Sequence, residues 1–300
     1  MFESLYANEE LKANFEKMLH SKTLPHAVLI CAEDGLGKGF TARLLAAEYL
    51  EPNDDYRYAQ VLEGTYPECI TVEGEGAFGQ IKVEQIRQVR ARVQETGFTE
   101  NGKAVIIKNA NRMNSAAANA LLKVLEEPPE GVLFILTAPS TGAVLPTILS
   151  RCAVFSLSPI PEEVCAKKIK ERHPGANAEL LSEVFGGRLG LCLNYAVEPE
   201  RRDMLNRTLQ AVKAIARDNI YALAVILSKV EKDKDAAEEM LTLMQFLLLH
   251  AAKGKIEKIP TIPTEKLQRV NTAIFDAQQA LRQNANTKLT LTALAVSCHT

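Results

Sequence analysis

Five short runs of Val, Ile, Leu, Ala and Phe, spaced through the first half of the chain, constrain its fold more than any other feature. They are Ala27–Cys31 (AVLIC), Cys69–Val72 (CITV), Ala104–Lys108 (AVIIK), Val132–Ala138 (VLFILTA) and Ala153–Leu157 (AVFSL). Each is near-continuously apolar, as strands covered on both faces are. Helical patterns lie between them. One opens at a glycine loop and runs through TARLLAAEYL, one starts near Val83 (VEQIRQVRARVQE), and one spans Asn114 to Glu127. In the last, Asn114 is placed to cap the first turn, Ala117, Leu121 and Val124 form an apolar stripe, and Pro128-Pro129 stop the helix. Alternating strands and helices predict an α/β core, a parallel sheet with helices on both faces.

Beyond Pro159 the strand pattern ends. Residues 160–200 give short helices broken at HPGANAE and FGGRLG, and from about Glu200 the pattern is helical with one Pro-containing break at Lys258–Pro263. A chain of 300 residues exceeds what one ordinary core fills. The expected organisation is an α/β core over 1–158, a small all-α part over 159–200 and a larger all-α domain over 201–300.

A net charge of −2 supplies no global field for nucleic acid, so any such contact must be local or come through partners. The six cysteines include no C-x-x-C pair, which argues against a zinc ribbon or a disulfide framework and fits a reducing cytosol. The five histidines show no metal-ligand spacing. The amino terminus MFESLYANEELKANF has no apolar signal core, and the apolar run Met240–Ala252 is shorter than a membrane span and broken by Thr242, Gln245 and His250. A cytoplasmic protein with no membrane partner is expected.

The first strand leads into CAEDGLGKGF (Cys31–Phe40). Gly35, Gly37 and Lys38 match a loop that cradles phosphate with backbone N–H groups and a helix N-terminus; a tight turn bearing a surface lysine fits the same residues. Chemistry at such a loop needs more. Magnesium is held there by a Ser or Thr after the lysine and by an acid at the end of a second strand. Gly39 stands where the hydroxyl belongs, and Thr41 is two residues further round the helix. After AVII the chain reads Lys108-Asn109 where hydrolysing relatives of this loop carry Asp-Glu. Lys108 puts a cation where a dication belongs, and at ~4 Å and an effective dielectric near 20 the repulsion is roughly 8 kcal/mol. Asn109 can orient a water but cannot take its proton. Two metal ligands and the base are missing together, so hydrolysis is not expected.

Arg87 and Arg90 share a helix face at i, i+3, where phosphate tracking and a plain solvated face both fit. A phosphate role would be sequence-blind and salt-sensitive. Aromatic residues do not interleave with basic ones, so base stacking is not indicated.

Several segments then read together: Leu24-Pro25-His26-Ala27, IKVEQIRQVR (Ile81–Arg90), NSAAANALLKVLEEPPEGVLFILTA (Asn114–Ala138), LPTILSRC (Leu145–Cys152) and NANTKLTLTAL (Asn284–Leu294). With them the whole chain resembles the clamp-loader branch of the AAA+ proteins, and within it the delta-prime type. The resemblance implies an AAA+ core, a lid and a helical collar. It further implies a five-subunit ring with gamma/tau motor subunits and delta, which opens a sliding clamp and places it on primer-template DNA at the expense of ATP bound by its neighbours. Ser150-Arg151-Cys152 matches the motif whose arginine reaches, as a finger in trans, into the next subunit's ATP site. A local salt bridge is the plainer reading of Arg151. Arg87 and Arg90 fall on the helix that lines the ring. The helical segments Ala222–Val230, Met240–Ala252, Thr272–Leu281 and Thr287–Val296 fall in the collar, although one helical domain can bury all of them internally.

Two departures from the family pattern stand out. Many relatives carry four zinc-binding cysteines after the first helix, whereas Glu48–Cys69 here holds only Cys69, so no zinc is expected. Gly190, in Gly187-Arg188-Leu189-Gly190, stands near where motor subunits place a lid arginine. With Ala32, Gly39, Lys108 and Asn109, the loop is expected to be empty of ATP in cis. The competing expectations are an active ATPase resembling gamma/tau, and a scaffold that binds ATP without turnover.

Overall fold

The protein is described by a computed structural model, which covers residues 2, 4–75, 79–95, 102–252 and 259–299. The chain divides into two compact units, Met1–Ile160 and Pro161–Thr300.

The first unit runs α1 (Glu9–His20), β1 (Ala27–Cys31), α2 (Lys38–Leu50), α3 (Asp55–Glu63), β2 (Cys69–Val72), α4 (Val83–Gln94), β3 (Lys103–Ile107), α5 (Ser115–Glu126), β4 (Val132–Ala138), α6 (Pro146–Leu149) and β5 (Ala153–Ser156). The strands form one parallel sheet in the order β2-β3-β4-β1-β5. All five expected runs are strands, with the fifth ending at Ser156 and the third displaced by one residue because Lys103, rather than Lys108, joins the ladder. The Lys103 ammonium is buried and held by the carbonyls of Arg92 and Glu95 at 2.5 and 2.7 Å.

Alternation along the strands sorts the core into two layers. Leu29, Val105, Ile107, Phe134 and Leu136 face α4, α5 and α6, while Val28, Ile30, Ile106, Leu133 and Ile135 face α1, α2 and α3. Every residue of β1, β3 and β4 is buried, which explains their unbroken apolar sequence. Asn114 caps α5 as expected, its side chain accepting from the Ala117 N–H at 2.8 Å. The sequence reading assigned no helix to α1 or α3, although α3 carries both end signals. Asp54 accepts from the Arg57 N–H, and Gly64 closes the helix in the left-handed region.

The second unit is helical: α7 (Glu162–Arg172), α8 (Ala178–Phe185), α9 (Leu189–Val197), α10 (Pro199–Ala216), α11 (Ile220–Leu227), α12 (Lys234–Ala252), α13 (Thr264–Arg282) and α14 (Thr287–Ser297). The segments anticipated at 159–200 and 201–300 share it from Pro161 onward, while residues 159 and 160 fall in the first unit. Phe185 of α8 packs on Tyr195 of α9 and Phe246 of α12, at centroid distances of 4.8 and 5.8 Å. The start of the expected break at Lys258 lies outside the described residues; Ile259–Pro263 precede α13 without helical structure. No described helix is long and apolar enough to cross a membrane.

Candidate functional site

The glycine loop leaves the carboxyl end of β1 at the place where the sheet order reverses, the usual crevice for ligands in open α/β sheets. The Ala32 N–H donates to the Ala138 carbonyl at 3.0 Å, tying the loop to β4. Gly35 and Gly37 take φ of 84° and 90°, a region that glycine enters freely. Gly37 precedes α2 and accepts the Thr41 N–H at 2.8 Å. Thr41 is fully buried and its hydroxyl also donates to the Gly37 carbonyl, at 3.1 Å, so it is turned into the helix. A Cβ on Gly39 would meet nothing within 4 Å. Space for a hydroxyl-bearing side chain exists there; the hydroxyl does not. Lys38 forms an ion pair with Asp34 inside the loop. Because Asp34 is 88% exposed, water competes strongly for that pair.

At the end of β3, the Lys108 ammonium contacts a Glu73 carboxylate oxygen at 2.9 Å, just beyond β2. The roughly 8 kcal/mol repulsion applies to a free ammonium, and Glu73 offsets much of it. The deficit at this strand end is therefore the absent acids more than the added cation. Asn109 takes φ of 53°, which asparagine tolerates, and its N–H donates to Thr137 Oγ1 at 2.9 Å. With Gly39 bare, Lys108 paired and Asn109 neutral, this donor set does not suit a magnesium ion.

Arg151 lies at the other end of the strands. Val28 pairs with Ala153 and Cys31 with Ser156, so the turn before β5 sits at the amino-terminal edge of the sheet and the glycine loop at the carboxyl edge. The four steps of β1 put about 13 Å of strand between the two edges. The Arg151 side chain is 34% exposed, with Nη2 donating to Glu126 Oε1 at 2.7 Å. Nη1 donates to the Thr147 carbonyl at 2.9 Å and to Ser150 Oγ at 3.4 Å. The plainer reading, a local salt bridge, is present, and it leaves a third of the side chain open to solvent. Ser150 also donates to the Thr147 carbonyl at 3.1 Å. Cys152 is half-buried, and burial, with Cys31 nearby, pushes its thiol up to about 11, against a role as nucleophile.

Arg87 and Arg90 are both exposed on α4, whose Ile86, Val89 and Val93 face the core. In the second unit Gly190 is the second residue of α9, and the Arg188 guanidinium stacks over Phe246 at 4.9 Å. Cys69 is buried on β2 and its thiol is pushed up to about 11 by desolvation, which Arg43 partly opposes. The stretch around α3 is pinned by polar contacts: the Tyr58 hydroxyl to Glu48 at 3.0 Å, Arg43 to the Leu62 carbonyl at 2.9 Å, and Tyr66 to buried Glu51. The sequence reading missed the acidic partners Asp34, Glu73 and Glu126. Only Asp34, at i, i−4 from Lys38, carried a local signal.

A five-stranded parallel sheet of this order, with a glycine loop after β1, defines an α/β fold of the P-loop type. The chain belongs to the family described as DNA polymerase III, delta subunit, which it matches over residues 7–161, just over half of its length. A DNA polymerase III subunit delta' of Haemophilus influenzae is 33% identical over 167 residues, covering 52% of this chain and 50% of that protein. The Pseudomonas aeruginosa subunit delta' is 34% identical over 208 residues, covering 66% and 63%. The chain thus spans about half to under two thirds of the length of these relatives. Among solved structures, a DNA polymerase III gamma subunit-related protein of Thermotoga maritima aligns over 95% of this chain and 98% of that one, with a TM-score of 0.59 at 20% identity, a likeness of fold.

Proposed function

We propose that this chain is a delta-prime-type clamp-loader subunit that does not hydrolyse ATP itself and that lends Arg151 to the ATP site of a neighbouring motor subunit. In this reading it joins gamma/tau motors and delta in a five-subunit cytoplasmic ring, which loads a sliding clamp onto primer-template DNA. The observation that carries the reading is the placement of Arg151 at the amino edge of the sheet, about 13 Å of strand away from the chain's own loop. An arginine there is out of reach of the chain's own loop and, one third exposed, is open to a phosphate on another molecule. A planar fork beside a transferring phosphoryl group stabilises charge that grows in the transition state.

Support for the silent cis site comes from Gly39, Lys108 and Asn109 together, and we expect neither ATP turnover in cis nor zinc. Residues 159–200 would act as lid and 201–300 as collar. Exposed Tyr221 and Val225 on α11, with Leu289 and Val296 on α14, are apolar surface of the kind an interface covers. Arg87 and Arg90 would track DNA phosphates inside the ring. The test is a ring reconstituted with Arg151→Ala: its DNA-stimulated ATPase should fall steeply, and unchanged turnover would refute the finger.

A second reading, a scaffold that holds ATP without cleaving it, is favoured by the preserved backbone of Gly35 and Gly37 and by Lys38. Calorimetric titration of Mg-ATP onto the purified chain separates the readings. Silence supports the first, heat without phosphate release the second, and turnover an active motor resembling gamma/tau.

A further inference from the structure

We propose that Glu126 is a positioning residue for Arg151, an inference that rests on the finger role assigned above. Glu126 is the last residue of α5, just ahead of Pro128 and Pro129, and is half exposed. Its Oε1 accepts from Arg151 Nη2 at 2.7 Å, while Nη1 is held by the Thr147 carbonyl of α6 at 2.9 Å. The ends of two helices thus grip one guanidinium from two sides.

Local helix energetics do not account for an acid at this position. A carboxylate at a helix C-terminus faces the negative end of the helix dipole, and Glu127 adds a second one. Lys123 brings one cation to the last turn, but the Glu126 carboxylate itself pairs with Arg151, 25 residues on in sequence. The pair makes sense as a device for the arginine rather than for the helix.

The chemistry of the fork decides between holding the arginine back and aiming it. A guanidinium has five N–H donors. The contacts to Thr147, Ser150 and Glu126 engage Nη1 and one N–H of Nη2. The Nε–H and the second Nη2–H remain, enough for two phosphate oxygens while Glu126 stays bound. Glu126 therefore orients the finger and does not compete with its target. Its contribution is to restrict the arginine's rotamers before a neighbour's phosphate arrives, the preorganisation on which electrostatic catalysis depends.

The experiment uses the reconstituted ring with Glu126→Ala and Glu126→Gln, each with Arg151 intact and in the Arg151→Ala background. DNA-stimulated ATP turnover is measured against ATP concentration, and the thermal midpoint of the purified chain is recorded alongside. Glu126→Ala should lower kcat about three- to tenfold with KM changed by less than about twofold. Glu126→Gln, which keeps an acceptor oxygen, should recover part of the loss. Neither change should matter once Arg151 is alanine, and the thermal midpoint should hold or rise, since an acid has left a helix C-terminus. Full or raised turnover in Glu126→Ala overturns the proposal, as does a loss that persists in the Arg151→Ala background. If Arg151→Ala itself leaves turnover intact, the finger reading fails, and this inference with it. A loss in Arg151→Ala without one in Glu126→Ala sinks this inference alone.

Discussion

The two edges of the sheet, the glycine loop after β1 and the turn before β5, are built by the same layers and hold opposite chemical states. At the carboxyl edge the backbone has the form of a phosphate cradle, with Gly37 at φ 90° opening α2, while the hydroxyl and both acids are replaced. At the amino edge the backbone is an unremarkable helical turn, yet it carries an arginine anchored on two sides and one third exposed. Backbone form follows from packing, and both edges hang on the same buried strands. Reactivity follows from a few polar atoms, which can be absent from one edge and present at the other without disturbing that packing.

The largest expected effect breaks the comparison at Arg151. Arginine fingers are worth on the order of 10³ to 10⁵ in rate, so under the proposed finger role Arg151→Ala should nearly silence the neighbouring ATP site. Arg151→Lys, which keeps the charge and loses the fork, should also be impaired, as steady-state ATPase assays of the ring will read. Next in size is the shared foundation. Phe134 is fully buried in β4, and Phe134→Ala should cost about 3–5 kcal/mol in denaturant unfolding of the chain, weakening both edges together.

A smaller effect isolates the loop. A Cβ on Gly37 meets no atom, so Gly37→Ala carries only the strain of a left-handed non-glycine residue, about 1–2 kcal/mol by equilibrium unfolding. Gly39→Thr has room and no positive φ, so its stability should move by less than about 0.5 kcal/mol. It should still show no Mg-ATP turnover, because the acids at 108 and 109 stay absent. Turnover in Gly39→Thr would show that the edge was one hydroxyl short of activity and would overturn the contrast.

A last effect, confined to alkaline pH, concerns the thiols. Burial raises Cys69, Cys152 and Cys298 from 9.0 to about 11. The folded chain keeps these thiols neutral, so their contribution is complete below pH 9 and is lost as pH climbs toward 11. Denaturation midpoints should decline across that window, and replacing Cys298 with alanine should flatten the decline. Thiol-reactive reagents at pH 8 should label these three positions slowly.

Much of the fold could be read from single stretches. Strands β1, β3 and β4 announced themselves because burial on both faces leaves no room for alternation, and α5 because Asn114 and Pro128-Pro129 mark its ends. Helix α3 went unread despite Asp54 and Gly64, since only Val61 among its residues is buried and its apolar stripe is faint. Gly39, Lys108 and Asn109 were legible as losses because a missing hydroxyl or carboxylate is a matter of residue identity alone.

Residue identity determined which functional groups the chain possesses, and local pattern determined where its strands and helices fall. Tertiary structure alone decided the order β2-β3-β4-β1-β5, the opposite edges on which the loop and Arg151 lie, and the pairing of Lys108 with Glu73 and Arg151 with Glu126. The physical reason is distance. A charge is seen by whatever lies within a few ångströms of it, and residues 35 and 25 apart in sequence become neighbours only when strands and helices pack.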